Sequence, residues 1–394
     1  VVTSTSDAGD GSLRAAIDQA NRGCSEPCKI AFEIPAPVPE VGWFTIAPST
    51  PLPPITSPRV FADAKTQTAF TGDTNPAGPE IAIDWRDTAS GFGLESRSGC
   101  EGIIEGFSIG NAADFGIAMT SDAPCANSTI VDQHRIARNY IGVDPSGTVA
   151  APNQRGVFVD NARGAEVSDN VISGNIFSGL WSWRSNVGVH HNLIGTAADG
   201  ITPLPNGRSG ILIGPLVQSA EVVGNTISFN AEMGVAVARG AKLADIRQNS
   251  MRDNGGLGID IGLDGPNAPV ADDRLTQGNP PTLLSAIYDP ATKTTAFTFT
   301  LSTAPIATFS SAAFIDLYTN DKPDGDGEKF IAEAFVQNAN GETSTLTIPG
   351  DLRGKWINAT TTRVHFEGFA KPSPEYLAGG DATTSEFGNA VLAQ

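Results

Sequence analysis

Six tetrapeptides of one form recur through the middle of the chain, each a glycine followed by an apolar, a variable and usually another apolar residue: Gly116-Ile117-Ala118-Met119, Gly156-Val157-Phe158-Val159, Gly179-Leu180-Trp181-Ser182, Gly210-Ile211-Leu212-Ile213, Gly234-Val235-Ala236-Val237 and Gly258-Ile259-Asp260-Ile261. The steps between the glycines are 40, 23, 31, 24 and 24 residues, so the repeat has a floor near 23 with two longer members. A second motif, Asn-x-Ile or a near relative, runs in phase at Asn139, Asn170, Asn192, Asn225 and Asn249. A period of this kind specifies an array of stacked units.

Each repeat holds two or three strand-length stretches of alternating apolar and polar residues, with no helix-length amphipathic run between them, which excludes helical solenoids. About 23 residues at roughly 3.3 Å per strand residue make one turn of a three-sided coil, and stacking coils at about 4.8 Å buries the inward row of each strand. Val157, Val159, Val167, Ile172, Ile211, Ile213, Val222, Ile227, Val235, Val237 and Ile246 are the expected core. Asn170, Asn192, Asn225 and Asn249 fall in turns, where a side-chain amide satisfies backbone groups and stacks on its neighbour in a ladder.

The opening Val2-Thr3-Ser4-Thr5-Ser6-Asp7 with Gly11-Ser12-Leu13-Arg14-Ala15-Ala16-Ile17 resembles that of bacterial secreted β-helix proteins carrying a CSLREA-type N-terminal segment. Pro51-Leu52-Pro53-Pro54-Ile55-Thr56 with Thr66-Gln67, and the pair Asn139-Tyr140-Ile141-Gly142 and Asn192-Leu193-Ile194-Gly195, strengthen the likeness. The resemblance implies an all-β chain with a right-handed parallel β-helix of the pectate-lyase-like kind over roughly residues 1–265, and it speaks to fold more than to activity.

Ser12 to Asn21 reads as a short capping helix, and the irregular, proline-rich segment to about residue 95 as the start of the β-helix, with regular coils from about Gly102 to Gly262. Residues 266–281 read as a linker. Residues 282–394 change character to separate alternating strands with ordinary turns, the pattern of a small antiparallel β-sandwich.

With 43 acidic against 25 basic residues the net charge is −18, which disfavours nucleic acid and anionic membranes as partners. No run of 18 apolar residues is present to span a membrane. The chain starts without Met and without a charged-then-apolar leader; if the protein is secreted or displayed at the cell surface, as expected, its signal peptide has already been removed. Four cysteines permit three pairings. Cys100 and Cys125 are 25 residues apart, about one coil, and Cys24 and Cys28 close a short loop, so both are expected to form disulfides in an oxidising compartment. A zinc site lacks a nearby histidine, His134 being nine residues from Cys125. The oligomeric state is left open.

Aligning the repeats stacks outward residues into rows about 4.8 Å apart. One row reads Ala118, Phe158, Trp181, Leu212, Ala236, Asp260, and the next Thr120, Asp160, Trp183, Gly214, Ala238, Gly262. Trp181 and Trp183 are costly to expose without a purpose. The two long repeats, Gly142 to Gly156 and Gly195 to Gly210, both end in Pro-Asn-x-Arg just before that aromatic strand and are expected to wall a groove rimmed by Arg155, Arg184 and Arg208. Flat aromatics stack on sugar faces and arginines fork to carboxylates or hydroxyls, so the expected ligand is a polysaccharide or oligosaccharide held by Phe158, Trp181, Trp183, Arg155 and Arg208. The bland reading makes the same rings a satellite core covered by the loops.

For cleavage, a glycosidase needs two carboxylates at one cleft, and Asp160 has Asp144 and Asp199 on the loops as candidate partners. A lyase needs a base, with arginine or calcium neutralising a uronate, which suits Arg184 beside Arg155 and Arg208. On the neighbouring sheet, Arg138, Asp169 and His191 fall on successive coils, with His190 one residue before, as a secondary site or a solvated charge ladder. The run Asn320 to Glu328 offers Asp321, Asp324, Asp326 and Glu328 to calcium, though a solvated hairpin fits it better; no other cofactor or metal is expected. The reading is a secreted carbohydrate-active enzyme, glycoside hydrolase or polysaccharide lyase, with a non-catalytic carbohydrate-binding or adhesin rod as the alternative.

Overall fold

Alternating strands that each bury one row need a closed stack, and the chain builds one. The computed structural model describes residues 1–23, 27–89, 91–98, 101–121, 134–162, 164–265, 279–301, 313–336, 343–365 and 381–394. Three parallel sheets wind around a common core. The tryptophan sheet holds Leu94–Ser96, Phe115–Thr120, Arg155–Asp160, Leu180–Trp183, Ile211–Ile213, Val235–Val237 and Ile259–Ile261 in that spatial order. The short-strand sheet runs from Phe44–Ile46 to Ser250–Arg252, and the long sheet from Cys28–Ala31 to Ala244–Arg247 before continuing into the C-terminal region.

Inside, like stacks on like. Ile83, Ile109, Ile141, Ile172, Ile194, Ile227 and Met251 form one unbroken row in the short-strand sheet, and Ile104, Ile136, Val167, Val189, Val222 and Ile246 another in the long sheet. All eleven residues expected in the core are buried. The repeated glycine has a steric cause: a Cβ at Gly156 would lie 2.2 Å from the Gly179 carbonyl oxygen, and one at Gly179 would lie 2.7 Å from that of Gly210.

A helix, Leu13–Gly23, caps the N-terminal end with Leu13, Ala16, Ile17 and Ala20 turned inward, and Ser12 Oγ accepts the Ala15 amide at 3.2 Å. The coils begin earlier than Gly102. Cys28–Ala31 already pairs in parallel with Val60–Asp63, and that strand with Ile103–Glu105, so the proline-rich stretches are corners between true coils.

The expected asparagine ladder is present, with Nδ2 to Oδ1 bonds of 3.1 Å from Asn139 to Asn170 and 2.9 Å at each step through Asn192, Asn225 and Asn249. A second ladder runs beside the repeat glycines through Asn153, Asn175, Asn206, Asn230 and Asn254 at 2.9–3.1 Å. The two Pro-Asn-x-Arg segments are therefore rungs of this second ladder.

The C-terminal residues form two antiparallel sheets around a second core that includes Phe297, Phe299, Ile315, Leu317 and Ile357. One is Thr282–Asp289, Thr294–Thr300 and Thr343–Pro349. The other extends the long sheet: Asp381–Thr384 lies beside Ala244–Arg247, with Trp356–His365, Ala313–Asn320 and Lys329–Val336 beyond it. The sandwich thus closes the open end of the stack, where Asp326 and Phe387 meet Gly258 in place of a further coil. Most of the expected linker, 266–278, lies outside the described residues.

Candidate functional site

The strand register brings the outward rows together. Ala118, Phe158, Trp181, Leu212, Ala236 and Asp260 are successive partners, as are Thr120, Asp160 and Trp183. Phe92, Phe115, Phe158, Trp181 and Trp183 form a continuous strip of rings with centroids 6.0, 4.6, 5.4 and 5.7 Å apart. Phe115 is buried, whereas Phe158, Trp181 and Trp183 each keep part of their surface in solvent. Ring pairs at these distances contribute about 0.5–1.5 kcal/mol each beyond their buried area, so the strip is rigid before any ligand arrives.

Arg155 lies at the edge of the ring strip, and Arg208 lies beside Phe177. The Arg155 guanidinium carbon lies 5.3 Å from the Phe115 ring centre, 5.1 Å from Phe177 and 6.0 Å from Trp181, and Arg208 lies 5.1 Å from Phe177. Arg155 is also paired with Asp114 at 2.9 Å. The sequence reading missed Phe92, Phe115, Phe177 and Asp114. Phe115 precedes its repeat glycine, outside the rows counted forward from it, and Phe177 follows a rung of the second ladder.

The bodies of the two long loops lie elsewhere than expected. Gly147 sits where a Cβ would be 2.6 Å from the Ala198 Cβ and 3.2 Å from the Tyr140 ring, and a Cβ on Gly200 would meet Leu193 at 3.3 Å. The Ala198 amide donates to Gly147 O at 2.9 Å. The loops therefore stack on each other over the short-strand sheet, and only their exits border the rings. Asp144 accepts from Ser146 Oγ at 2.6 Å and from the Val149 amide at 3.2 Å. Asp199 accepts from the Ile201 and Thr202 amides at 2.8 Å and from Thr202 Oγ1 at 2.6 Å, and these bonds, the Thr202 hydroxyl first, hold its carboxyl below the usual range. Both acids cap turns and stand apart from Asp160.

Asp160 and Arg184 form a bidentate pair at 2.8 and 2.5 Å, and the hydrogen bond to Asp160 raises the Arg184 guanidinium. Both Asp160 oxygens accept from that one guanidinium.

On the long sheet, Ser168, His190, Val223 and Arg247 align as expected. Arg138, Asp169 and His191 occupy equivalent left-handed turns with φ of 54, 57 and 56°. They do not join into a relay. Arg138 turns to Glu105, which also receives Lys65 and Arg135. Burial alone would raise the Glu105 carboxyl, and Lys65, Arg138 and Arg135 bring the net shift downward. Asp169 makes no side-chain bond to a described residue, and His190 lies 6.4 Å from the His191 ring centre and 4.0 Å from Glu221.

In the C-terminal hairpin, Asp321 pairs with Lys355 at 2.5 Å, Asn320 Oδ1 accepts the Gly327 and Glu328 amides at 2.9 and 3.0 Å, and Asp326 accepts the Gly258 amide. Burial raises the Asp326 carboxyl to about 6. Asp321 and Asp326 are thus engaged in different directions, and among the described residues no group of three or more His, Cys, Asp or Glu is placed to hold a metal ion. Cys28 is disulfide-bonded; Cys24, Cys100 and Cys125, its possible partners, lie outside the described residues. Among the described residues no helix is long and apolar enough to cross a membrane.

The three stacked parallel sheets define a right-handed parallel β-helix protein with an antiparallel C-terminal appendage. Residues 148–275, about a third of the chain, match the family described as "Right handed beta helix region". No curated protein matches the chain.

Proposed function

We propose that this is a secreted or cell-surface carbohydrate-active protein that binds a polysaccharide along the ring strip. The observation that carries the reading is the partly exposed cluster Phe158, Trp181 and Trp183, pre-packed across two neighbouring coils. Aromatic faces held rigid and half in water favour the flat faces of sugars at little entropic cost. The disulfide at Cys28 supports an oxidising compartment.

Cleavage is a second reading, favoured by Asp160, whose strand neighbour is Trp183 and whose carboxylate is fixed by Arg184. A base at that point would abstract a proton or activate water at a chain lying on the strip. The two-carboxylate hydrolase arrangement has less support, because Asp144 and Asp199 are bound into loop turns.

Purified protein titrated against a polysaccharide panel tests both. Trp181→Ala and Trp183→Ala should each weaken binding by about 1–3 kcal/mol with the fold intact. Asp160→Asn should keep binding and abolish release of reducing ends or unsaturated products if the protein cleaves its ligand. Loss of thermal stability in both Trp variants, with ligand binding unchanged, would make the rings a satellite core and sink the carbohydrate reading.

A further inference from the structure

The second asparagine ladder sets three side chains in a line at the edge of the ring strip. Asn153, Asn175 and Asn206 are stacked rungs, and two residues beyond each stand Arg155, Phe177 and Arg208. Backbone bonds fix this register: the Ile176 amide donates to Asn153 O at 2.9 Å, the Phe177 amide to Gln154 O at 2.8 Å, and the Gly207 amide to Asn175 O at 2.9 Å. Gly207 is needed, since a Cβ there would lie 2.0 Å from the Ile176 carbonyl oxygen. Both guanidinium carbons lie 5.1 Å from the centre of the Phe177 ring.

The line has an acid at each end, and the two ends differ. Asp114 precedes Phe115, the strand partner of Arg155, and Glu232 stands two residues beyond the next rung, Asn230, with its amide donating to Arg208 O at 3.4 Å, so an acid flanks the line at each end. Asp114 neutralises Arg155 through an ion pair. Arg208 is exposed and leans on Phe177, and its guanidinium makes no hydrogen bond or ion pair to a described residue, Glu232 included. A guanidinium oriented by a ring and left without a carboxylate presents its fork of donors to an arriving oxyanion.

We propose that Arg208, oriented by Phe177 with Arg155 behind it, is a subsite for a carboxylate or sulfate on the sugar chain that lies along the ring strip. The proposal rests on the carbohydrate reading above. Arg155 touches both Phe177 and Trp181, so the subsite adjoins the strip. The net charge of −18 repels polyanions as a whole, which selects chains with isolated acidic groups among neutral sugars over chains charged at every unit.

Titration calorimetry with three sets of probes tests it: neutral oligosaccharides, the same backbones bearing one uronic acid, and the same bearing one sulfate ester. Wild type should bind an acidic set about tenfold more tightly than the neutral one, and which acidic set gains identifies the anion. Arg208→Gln should erase that gain, so that the variant binds acidic and neutral probes equally. Glu232→Gln should enlarge it, because a competing negative charge is removed beside Arg208. Equal binding of neutral and acidic probes by wild type, or a gain that survives Arg208→Gln, would overturn the subsite and leave the carbohydrate reading standing. Failure of every probe to bind wild type removes the carbohydrate reading, and the subsite with it.

Discussion

Asn192 uses its whole side chain. Its Nδ2 donates toward Val167 O, His190 O and Asn225 Oδ1 at 2.8–3.0 Å, while its Oδ1 accepts the amide and side chain of Asn170 at 2.9 Å. Removing it strands buried groups on two coils, and an unsatisfied buried group costs about 1–3 kcal/mol. Asn192→Ala should therefore lower stability by about 2–4 kcal/mol in chemical denaturation. A variant as stable as the parent would show that water replaces the amide. The first ladder was legible because its asparagines keep one motif, Asn-x-Ile, at the repeat spacing. The second was not, since Asn153 and Asn206 follow prolines at the ends of long loops while Asn175, Asn230 and Asn254 sit in unlike sequences. Missing that ladder hid Phe177 and its place between two arginines. Asp144 and Asp199 looked like free acids, because nothing in a sequence tells a turn cap from a carboxylate at a cleft.

Between elements, the decisive contact joins the strands Ala244–Arg247 and Ala313–Asn320. Asp316 is buried there, one oxygen accepting the Gln248 amide at 2.5 Å and Tyr318 Oη at 3.1 Å, the other buried without a partner. Arg247 faces it while paired with Asp245 at 2.6 Å and Glu333 at 2.9 Å, and Glu221 adds negative charge near Asp245. Burial raises the Asp316 carboxyl to about 7, and the charge on Glu333 adds to the rise. The folded protein thus holds a proton that the unfolded chain releases near its ordinary value of 3.8. The associated stability is full below that value and is lost as pH rises through about 7. Denaturation midpoints at pH 5 and pH 8 should fall for the parent more than for Asp316→Asn, whose amide mimics the protonated acid. An identical pH response in both would refute this. No repeat predicts such a contact, because it joins two regions with unlike patterns.

At the scale of the molecule, the sandwich completes the β-helix. The Ile246 amide donates to Thr384 Oγ1 at 2.7 Å, the Met251 amide to Gly327 O at 2.8 Å and the Ile261 amide to Glu386 at 3.1 Å, so each sheet's last coil gives a backbone donor to the C-terminal region. A chain ending at residue 265 would bare these donors as strand edges. It should form larger species in light scattering, whereas a stable monomer would show that the stack closes itself. The stacked architecture was readable from the glycine steps alone, since only one geometry makes sequence-distant residues neighbours at such a period. The early segment was readable as the start of the stack but not its division into coils, because the corners between Cys28 and Ile103 are long and rich in proline. The ring strip has a consequence of another kind. From coil to coil the backbone beneath it repeats at about 4.8 Å, while Trp181 and Trp183 stand side by side on one strand. A polymer lying along the axis meets this fixed scale as one edge of a vernier. Any difference between its repeat and the coil spacing would accumulate with every coil, so a short strip such as this one tolerates a mismatch that a much longer strip would not.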